Sequence, residues 1–423
     1  MNGSEKNGLP RLSPVVYVTI VTDQYTTTEG TMKSEEYLAR VRALLPKLRE
    51  RASACEGLRR VPDETIAEFH AQGLLRGLQP QRWGGFELEP WTFYEAVMDV
   101  ASVCASSGWV LGVLGVHNWQ LALFPEQAQA DVWREDSSVQ VSSSYAPTGK
   151  VERVSGGYRL SGRWSFSSGC DHAQWVFLGG SAPADGPFPD MRTFLLPRSD
   201  YRIDDNWRVS GLCGTGSKDI VVEGAFVPEH RTHRFLDAFA LNSPGQAVNR
   251  GALYRLPFGC VFSSAIAVPA IGAARGALEL FAGASRSRVS AVGGGKVGED
   301  PYVQARLAGA ASEIDAARES LRRDWRELAE AAEAGAAIPL PARIRCRFDA
   351  SQAVARGVQA VDRLFEASGG RAIFLDNPIQ RVFRDVHAMR AHALNNPDKG
   401  ARLFGRFELS PDTAPTDTAE IFV

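Results

Sequence analysis

Long stretches of like charge are missing from this 423-residue chain: 47 Lys and Arg stand against 49 Asp and Glu, and no basic tract accumulates. That removes the electrostatic footprint of a nucleic-acid or anionic-membrane binder and leaves a small molecule as the expected ligand. Cysteine is scarce. Cys55, Cys104, Cys170, Cys213, Cys260 and Cys346 are scattered with no CxxC pair, which excludes a short disulfide framework and suits a reducing cytoplasm. No HExxH occurs and no Cys/His set has zinc-finger spacing, so no metal is expected. The apolar stretch from Val15 to Val21 is too short to span a bilayer and lacks a basic start with a small-residue cleavage site, so neither a membrane anchor nor a signal is expected there.

Several common catalytic signatures are also absent. There is no GxSxG elbow to support a Ser/His/Asp hydrolase. Gly293-Gly294-Gly295-Lys296 is followed by Val297 where a phosphate loop needs Ser or Thr, and reads as an inter-helix loop. Gly211 to Ser217 falls between strand patterns, outside the strand-GxGxxG-helix setting of a dinucleotide fold.

What is present is an ordinary globular composition, 44% hydrophobic and 23% charged, without internal repeats. Residues 1–31 read as an N-terminal extension. Residues 32–138 carry helical periodicity: Ser34 is expected to cap a helix bearing Leu38, Val41, Leu45 and Leu48, and Pro90 to start another. Between 139 and 232 the period changes to strands, with a hairpin around Gly156-Gly157. A connection over 233–262 leads to a C-terminal region, 263–423, in which the pattern predicts four helices near 263–290, 301–335, 342–368 and 378–408, with Pro269 as a candidate kink in the first and Asn377-Pro378 as cap and first turn of the last. The predicted class is α+β: an N-terminal helical domain, a central β domain and a C-terminal four-helix bundle with a tail.

Two stretches carry candidate chemistry. Trp164 to His172 sets aromatic rings beside Ser165, Ser167, Ser168 and Gly169 at a strand end, where a flat ring can approach the backbone while a serine hydrogen-bonds it. In Ile379 to His392, helical steps of four and three bring Asp385, Met389 and His392 to one face, so Asp385 is a candidate to orient His392. A histidine on such an apolar face is more often a core residue, and His117, after the apolar run from Trp109, reads equally as the polar end of a buried helix.

The motifs decide between these readings. Leu58 to Glu64, Gln79-Pro80 with Trp83-Gly84-Gly85, Ser142-Ser143-Ser144 with Ala146-Pro147, Ser167 to Ala173, Gly214 to Ser217, Val361 to Phe365 and Arg384 to His387 resemble the flavin-dependent monooxygenase branch of the acyl-CoA dehydrogenase fold, over essentially all of the chain after Met32. Within it the chain is similar to oxygenases of p-hydroxyphenylacetate and, on Tyr254 to Gly259 and Ile379-Gln380-Arg381, still more to those acting on the phenolic ring of seco-steroids. Gly259 stands where the p-hydroxyphenylacetate enzymes carry an arginine, which argues against a small carboxylated phenol.

The resemblance implies an oxygenase component that takes reduced FMN or FAD as a diffusible substrate from a separate NAD(P)H-dependent flavin reductase. With O2 it hydroxylates a phenolic or polycyclic aromatic ring ortho to its hydroxyl, through a flavin hydroperoxide. It also implies a cytoplasmic homotetramer. Carried over residue by residue, Ser168 bonds near the flavin N5, Trp109, Ser143 and Phe166 line the isoalloxazine site, Arg288 meets the flavin phosphate region, and Gly370 belongs to the cofactor set. His392 matches the histidine that accepts or polarises the phenol proton, and His117 a substrate-pocket histidine. Ser290 replaces a second family arginine, which leaves FMN against FAD open. The competing readings are an acyl-CoA dehydrogenase-type oxidase, which needs a carboxylate base, an amine N-oxygenase, which needs no phenol-polarising histidine, and a non-catalytic flavin-binding protein.

Overall fold

The computed structural model describes residues 32–184, 189–290 and 294–410; the N-terminal extension over 1–31, Gly293 of the glycine loop and the tail over 411–423 lie outside them. The helical first region holds α1 (Ser34–Leu58), α2 (Asp63–Ala71), α3 (Pro90–Val103), α4 (Ala105–Leu121) and α5 (Glu126–Trp133). Ser34 is the first helical residue rather than the cap: Lys33 occupies that position in extended geometry, and the Ser34 hydroxyl accepts instead from Thr92 Oγ1 at 2.9 Å. Cys104, with φ −149° and ψ 100°, interrupts what would be one helix and turns α4 into the middle of the protein. All 17 residues of α4 are buried, which is the pattern of a helix enclosed on every side rather than an amphipathic one.

The β region contains β1 (Val141–Ser144), β2 (Lys150–Val154), β3 (Gly157–Ser167), β4 (Trp175–Ala182), β5 (Asp190–Pro197), β6 (Arg202–Asp204), β7 (Lys218–Pro228) and β8 (Thr232–Arg234). They form two four-stranded sheets ordered β1-β4-β5-β8 and β2-β3-β7-β6, with β1 parallel to β4. Val154 pairs with Gly157, so the hairpin turns on Ser155 and Gly156 alone, and Gly156 supplies the required positive φ of 79°. Alternation along β4 sends Val176 and Leu178 between the sheets, where they meet Trp164, Leu160 and Ile220. Phe177 faces the other way, onto Leu121 and Phe124 of the helical layer. The strand pair that carries the site is thereby clamped from both faces.

After α6 (Phe235–Phe239) come α7 (Phe258–Ser287), α8 (Pro301–Glu333), α9 (Leu340–Ala367), α10 (Pro378–Arg390) and α11 (Pro397–Leu409). The first helix of this region begins at Phe258, five residues before the sequence pattern places it, because Pro257 is a competent cap and Pro269 is absorbed inside the helix. α7 is long and apolar enough to cross a membrane, with mean hydropathy 1.5, but 89% of that window is buried within the protein. The last predicted helix is divided. α10 stops at Arg390, His392 caps a short 3-10 turn over Ala393–Asn395, and Asn396 accepts from the amides of Asp398 and Lys399 to open α11 at Pro397. A proline preceded by a side-chain cap is a strong restart signal, and it overrides the continuous periodicity.

Candidate active site

Trp109 on α4 reaches the strand end after β3. Its indole N–H donates to Ser168 Oγ at 3.1 Å, and its ring meets His392 edge-on with centroids 5.8 Å apart. Ser168 Oγ lies 2.7 Å from Ser217 Oγ, which lies 2.6 Å from Thr215 Oγ1, and the Thr215 hydroxyl donates to Leu212 O at 2.9 Å. Because the Leu212 carbonyl only accepts, the proton order of the row is set: Thr215 to Leu212, Ser217 to Thr215, Ser168 to Ser217. Ser168 then accepts from Trp109 and keeps one lone pair for an N–H donor, which the N5–H of a reduced flavin is. Beside it Phe166 has a φ of 69° and is 69% exposed, its ring edge-on to Trp207 at 6.0 Å. A bulky residue held in left-handed geometry is stored strain, here at the bulge between Trp164 and Ser167, and it turns an aromatic face outward next to Ser168. These residues fit a flat isoalloxazine ring. Ser143 points from β1 to the opposite side from Ser142 and Ser144, whose hydroxyls are taken by Ser167 Oγ and Ser165 O, and hydrogen-bonds the Tyr145 hydroxyl instead.

His117 sits two turns along α4 from Trp109, inside a set of rings. Phe262 stacks on it at 6.1 Å, and Tyr145 and Phe177 present edges at 6.2 and 5.9 Å. Its Nδ1 is 2.6 Å from Val141 O, so Nδ1 carries the proton and Nε2 is a bare acceptor, with no hydrogen-bond partner among the described residues. Burial lowers its pKa to about 4, which keeps it neutral. One turn on, Gln120 Oε1 accepts from the Tyr145 hydroxyl, while its amide nitrogen is also without a partner. A buried acceptor and a buried donor, both unmatched and three residues apart on one helix face, are suited to a single hydroxyl group.

His392 has the opposite tautomer. Its Nδ1 accepts from the Leu394 amide at 3.2 Å, which leaves the proton on Nε2. Burial and then the charge of Arg347 hold its pKa below the ordinary histidine value. Asp385 does not orient it: Oδ1 accepts from the Leu212 amide at 2.6 Å, and burial pushes the carboxyl up to about 7. The shared helix face is lost because α10 ends before His392. Asp385 instead anchors the loop from which the Thr215–Ser217 row starts.

Arg288 is bonded to the segment that leads into Gly370. The Arg288 guanidinium donates to the carbonyls of Ala367 and Ser368, closing the C-terminus of α9 immediately before Gly369-Gly370. Val289, Ile373, Phe374 and Leu375 are exposed beside them. Among the described residues no cluster of three or more His, Cys, Asp or Glu side chains could hold a metal ion. Sequence reading passes over Thr215, Ser217, Gln120 and Tyr145; the first two lie in the quoted Gly214 to Ser217 motif, but only the hydroxyl row ties them to Ser168.

A family model for the acyl-CoA dehydrogenase C-terminal domain matches residues 264–397. The chain is 45% identical over 372 residues to the oxygenase subunit HsaA of a flavin-dependent monooxygenase from Rhodococcus jostii, covering 88% of this chain and 97% of that one. The chain belongs to the flavin-dependent monooxygenase oxygenase components. It is also 38% identical over 379 residues to the oxygenase component of an FADH2-dependent resorcinol hydroxylase from a Rhizobium strain, covering 87% of this chain and 93% of that protein. A crystal structure of a hydroxylase from a Rhodococcus species superposes with a TM-score of 0.87 at 43% identity, over 92% of this chain and 99% of the other. As an oxygenase component, this monooxygenase is flavin-dependent and works with a separate reductase. The family membership favours neither the dehydrogenase-type oxidase nor the N-oxygenase.

Proposed function

We propose that this oxygenase component hydroxylates a phenolic ring ortho to its hydroxyl, binding the phenol between His117 Nε2 and the Gln120 amide. The observation that carries the reading is the unmatched Nε2 of His117 inside an aromatic enclosure. The similarity to a resorcinol hydroxylase supports a phenolic substrate. A reduced flavin, FMN or FAD, would supply the two electrons that activate O2, one of whose oxygen atoms goes to the ring while the other leaves as water.

The protein's own groups do the rest. His117 Nε2 accepts the phenol proton, which raises electron density at the ortho carbon, and Gln120 donates to the phenolic oxygen and stabilises its charge. Tyr145, Phe258 and Phe262 exclude water and flank the ring; Phe258 and Phe262 are themselves stacked at 5.7 Å. His392, proton on Nε2, donates a hydrogen bond at the flavin end, where Trp109 holds Ser168. Arg288 serves the flavin phosphate region with the donors its two carbonyl bonds leave over.

The working assembly is a cytoplasmic homotetramer supplied by an NAD(P)H-dependent flavin reductase. The exposed Val289, Ile373, Phe374 and Leu375 near Arg288 support a subunit contact at that end of the bundle. Product analysis on a panel of phenols, with a flavin reductase supplied, tests the reaction: catechol products are expected, and peroxide release without any oxygenated ring would overturn it. Sedimentation with a parallel assay tests the assembly, which a fully active monomer would contradict.

A further inference from the structure

Lys218 follows Ser217 directly, at the start of β7, and is only 9% exposed. Its ammonium lies 2.8 Å from Asp171 Oδ1 and 3.5 Å from Asp205, whose carboxylate takes two hydrogen bonds from Arg59 at 2.6 and 2.8 Å. Two cations thus face two anions, and a lysine is rarely out of water without such partners. The four residues come from four segments: the residue capping α1, the turn after β3, the residue following β6 and the first residue of β7.

What they enclose is the hydroxyl row. Lys218 pairs with Ser167 in the β3–β7 ladder, and the Gly169 amide donates to Thr215 O at 2.9 Å, so the Ser168–Ser217 bond has backbone pairing on both sides. The Lys218–Asp171 ion pair and the Cys170 thiol, which donates to Gly216 O at 3.4 Å, tie the same two segments together again. A Cβ on Gly216 would come within 2.8 Å of Asp171 Oδ2, which puts the carboxylate directly against the backbone that joins Thr215 to Ser217. A buried ion pair contributes little net stability, but its charges separate only at steep cost, so it fixes the spacing of the backbones that carry it. A bond between two serine hydroxyls tolerates less than about 1 Å of extra separation.

We propose that Lys218 and Asp171 are positioning residues that hold Ser217 on Ser168 and thereby give the site a preference for reduced over oxidised flavin. The inference rests on the reading that places the flavin N5 at Ser168. With its proton committed to Ser217, Ser168 offers a lone pair, which suits the N5–H of the reduced ring. The N5 of the oxidised ring carries no hydrogen and meets lone pair with lone pair. Once the row opens, Ser168 is free to turn its proton toward N5, and the discrimination falls.

The test is equilibrium binding of reduced and oxidised flavin to the full chain, FMN and FAD in turn, read as the ratio of the oxidised to the reduced dissociation constant. A change that merely loosens the fold weakens both forms and leaves the ratio alone. Asp171→Asn combined with Lys218→Met removes both charges at once and leaves no unpaired buried ion, since Asp205 keeps Arg59. Asp171→Asn by itself is the second variant, and thermal unfolding checks that each is folded. Each should lower the ratio about three- to tenfold, the worth of one hydrogen bond, and Ser217→Ala should lower it comparably. Added to Ser217→Ala, the charge variants should lower it no further, because nothing is left to hold. A ratio unchanged by the charge variants, while Ser168→Ala and Ser217→Ala both lower it, overturns the inference and leaves the flavin placement standing. A further drop on top of Ser217→Ala also overturns it, by giving the charges an effect that does not pass through Ser217. A ratio that Ser168→Ala does not alter removes the flavin N5 from Ser168, and the inference falls with that reading.

Discussion

Ser168 and Ser217 share a hydrogen bond of 2.7 Å whose proton direction is dictated from the far end of the row, by the carbonyl of Leu212 that Thr215 must serve. Ser217 therefore controls what Ser168 can offer to a flavin. Ser168→Ala should speed unproductive peroxide release roughly tenfold or more, from the loss of about 1 to 3 kcal/mol at a half-buried hydroxyl. Ser217→Ala should do the same to a smaller extent, about threefold, by freeing the Ser168 proton to reorient. Peroxide assays during turnover decide it; unaltered release in both variants would remove the row from the flavin site.

The two site histidines carry opposite tautomers, and their variants should differ accordingly. His117→Asn is expected to slow hydroxylation by about 100- to 10,000-fold while flavin oxidation continues as peroxide, as for loss of a general base. His392→Asn keeps an N–H donor and should cost less than about tenfold. Rates of product and peroxide formation measured side by side check this. The reverse order would make His392 the group that takes the phenol proton.

Arg288 spends two donors on the last carbonyls of α9. Arg288→Ala should lower the thermal midpoint, through a loss of about 1 to 2 kcal/mol for the exposed helix end, and should raise the dissociation constant of reduced flavin. A variant that loses stability but binds reduced flavin normally would be a helix cap and nothing more.

His233, fully enclosed and hydrogen-bonded to Ser243 Oγ at 3.0 Å, has its pKa lowered by burial to about 4. The unfolded chain protonates this ring first, so its stability contribution is complete above a pH of about 6.5 and shrinks as pH falls toward about 4. The stability difference between wild type and His233→Asn should therefore diminish by about 3 kcal/mol across that window and stay flat above it. Thermal unfolding at a series of pH values would contradict this if the difference were constant.

Periodicity and punctuation act over a few residues, so the sequence alone marked out the helical patterns, the Gly156 hairpin and the Asn377-Pro378 start. The motifs around Ser168 and Ser143 made the flavin chemistry legible as well. The division of the last helix was also local, written in Asn396-Pro397, yet masked by a hydrophobic repeat that runs across the break. Everything that depends on which atom meets which carbonyl was left to the tertiary structure. Val141 on a strand and Leu394 in a 3-10 turn choose the protonated nitrogens of His117 and His392, and no spacing rule connects those pairs. Asp385 and His392 are seven residues apart and match helical spacing, but Leu212, 173 residues away, holds the carboxylate. Arg347 looks like any polar residue on a bundle helix until packing buries its Nη1 with no hydrogen-bond partner among the described residues. Burial and pairing are properties of the folded neighbourhood, and they decide here which side chains are left with chemistry to do.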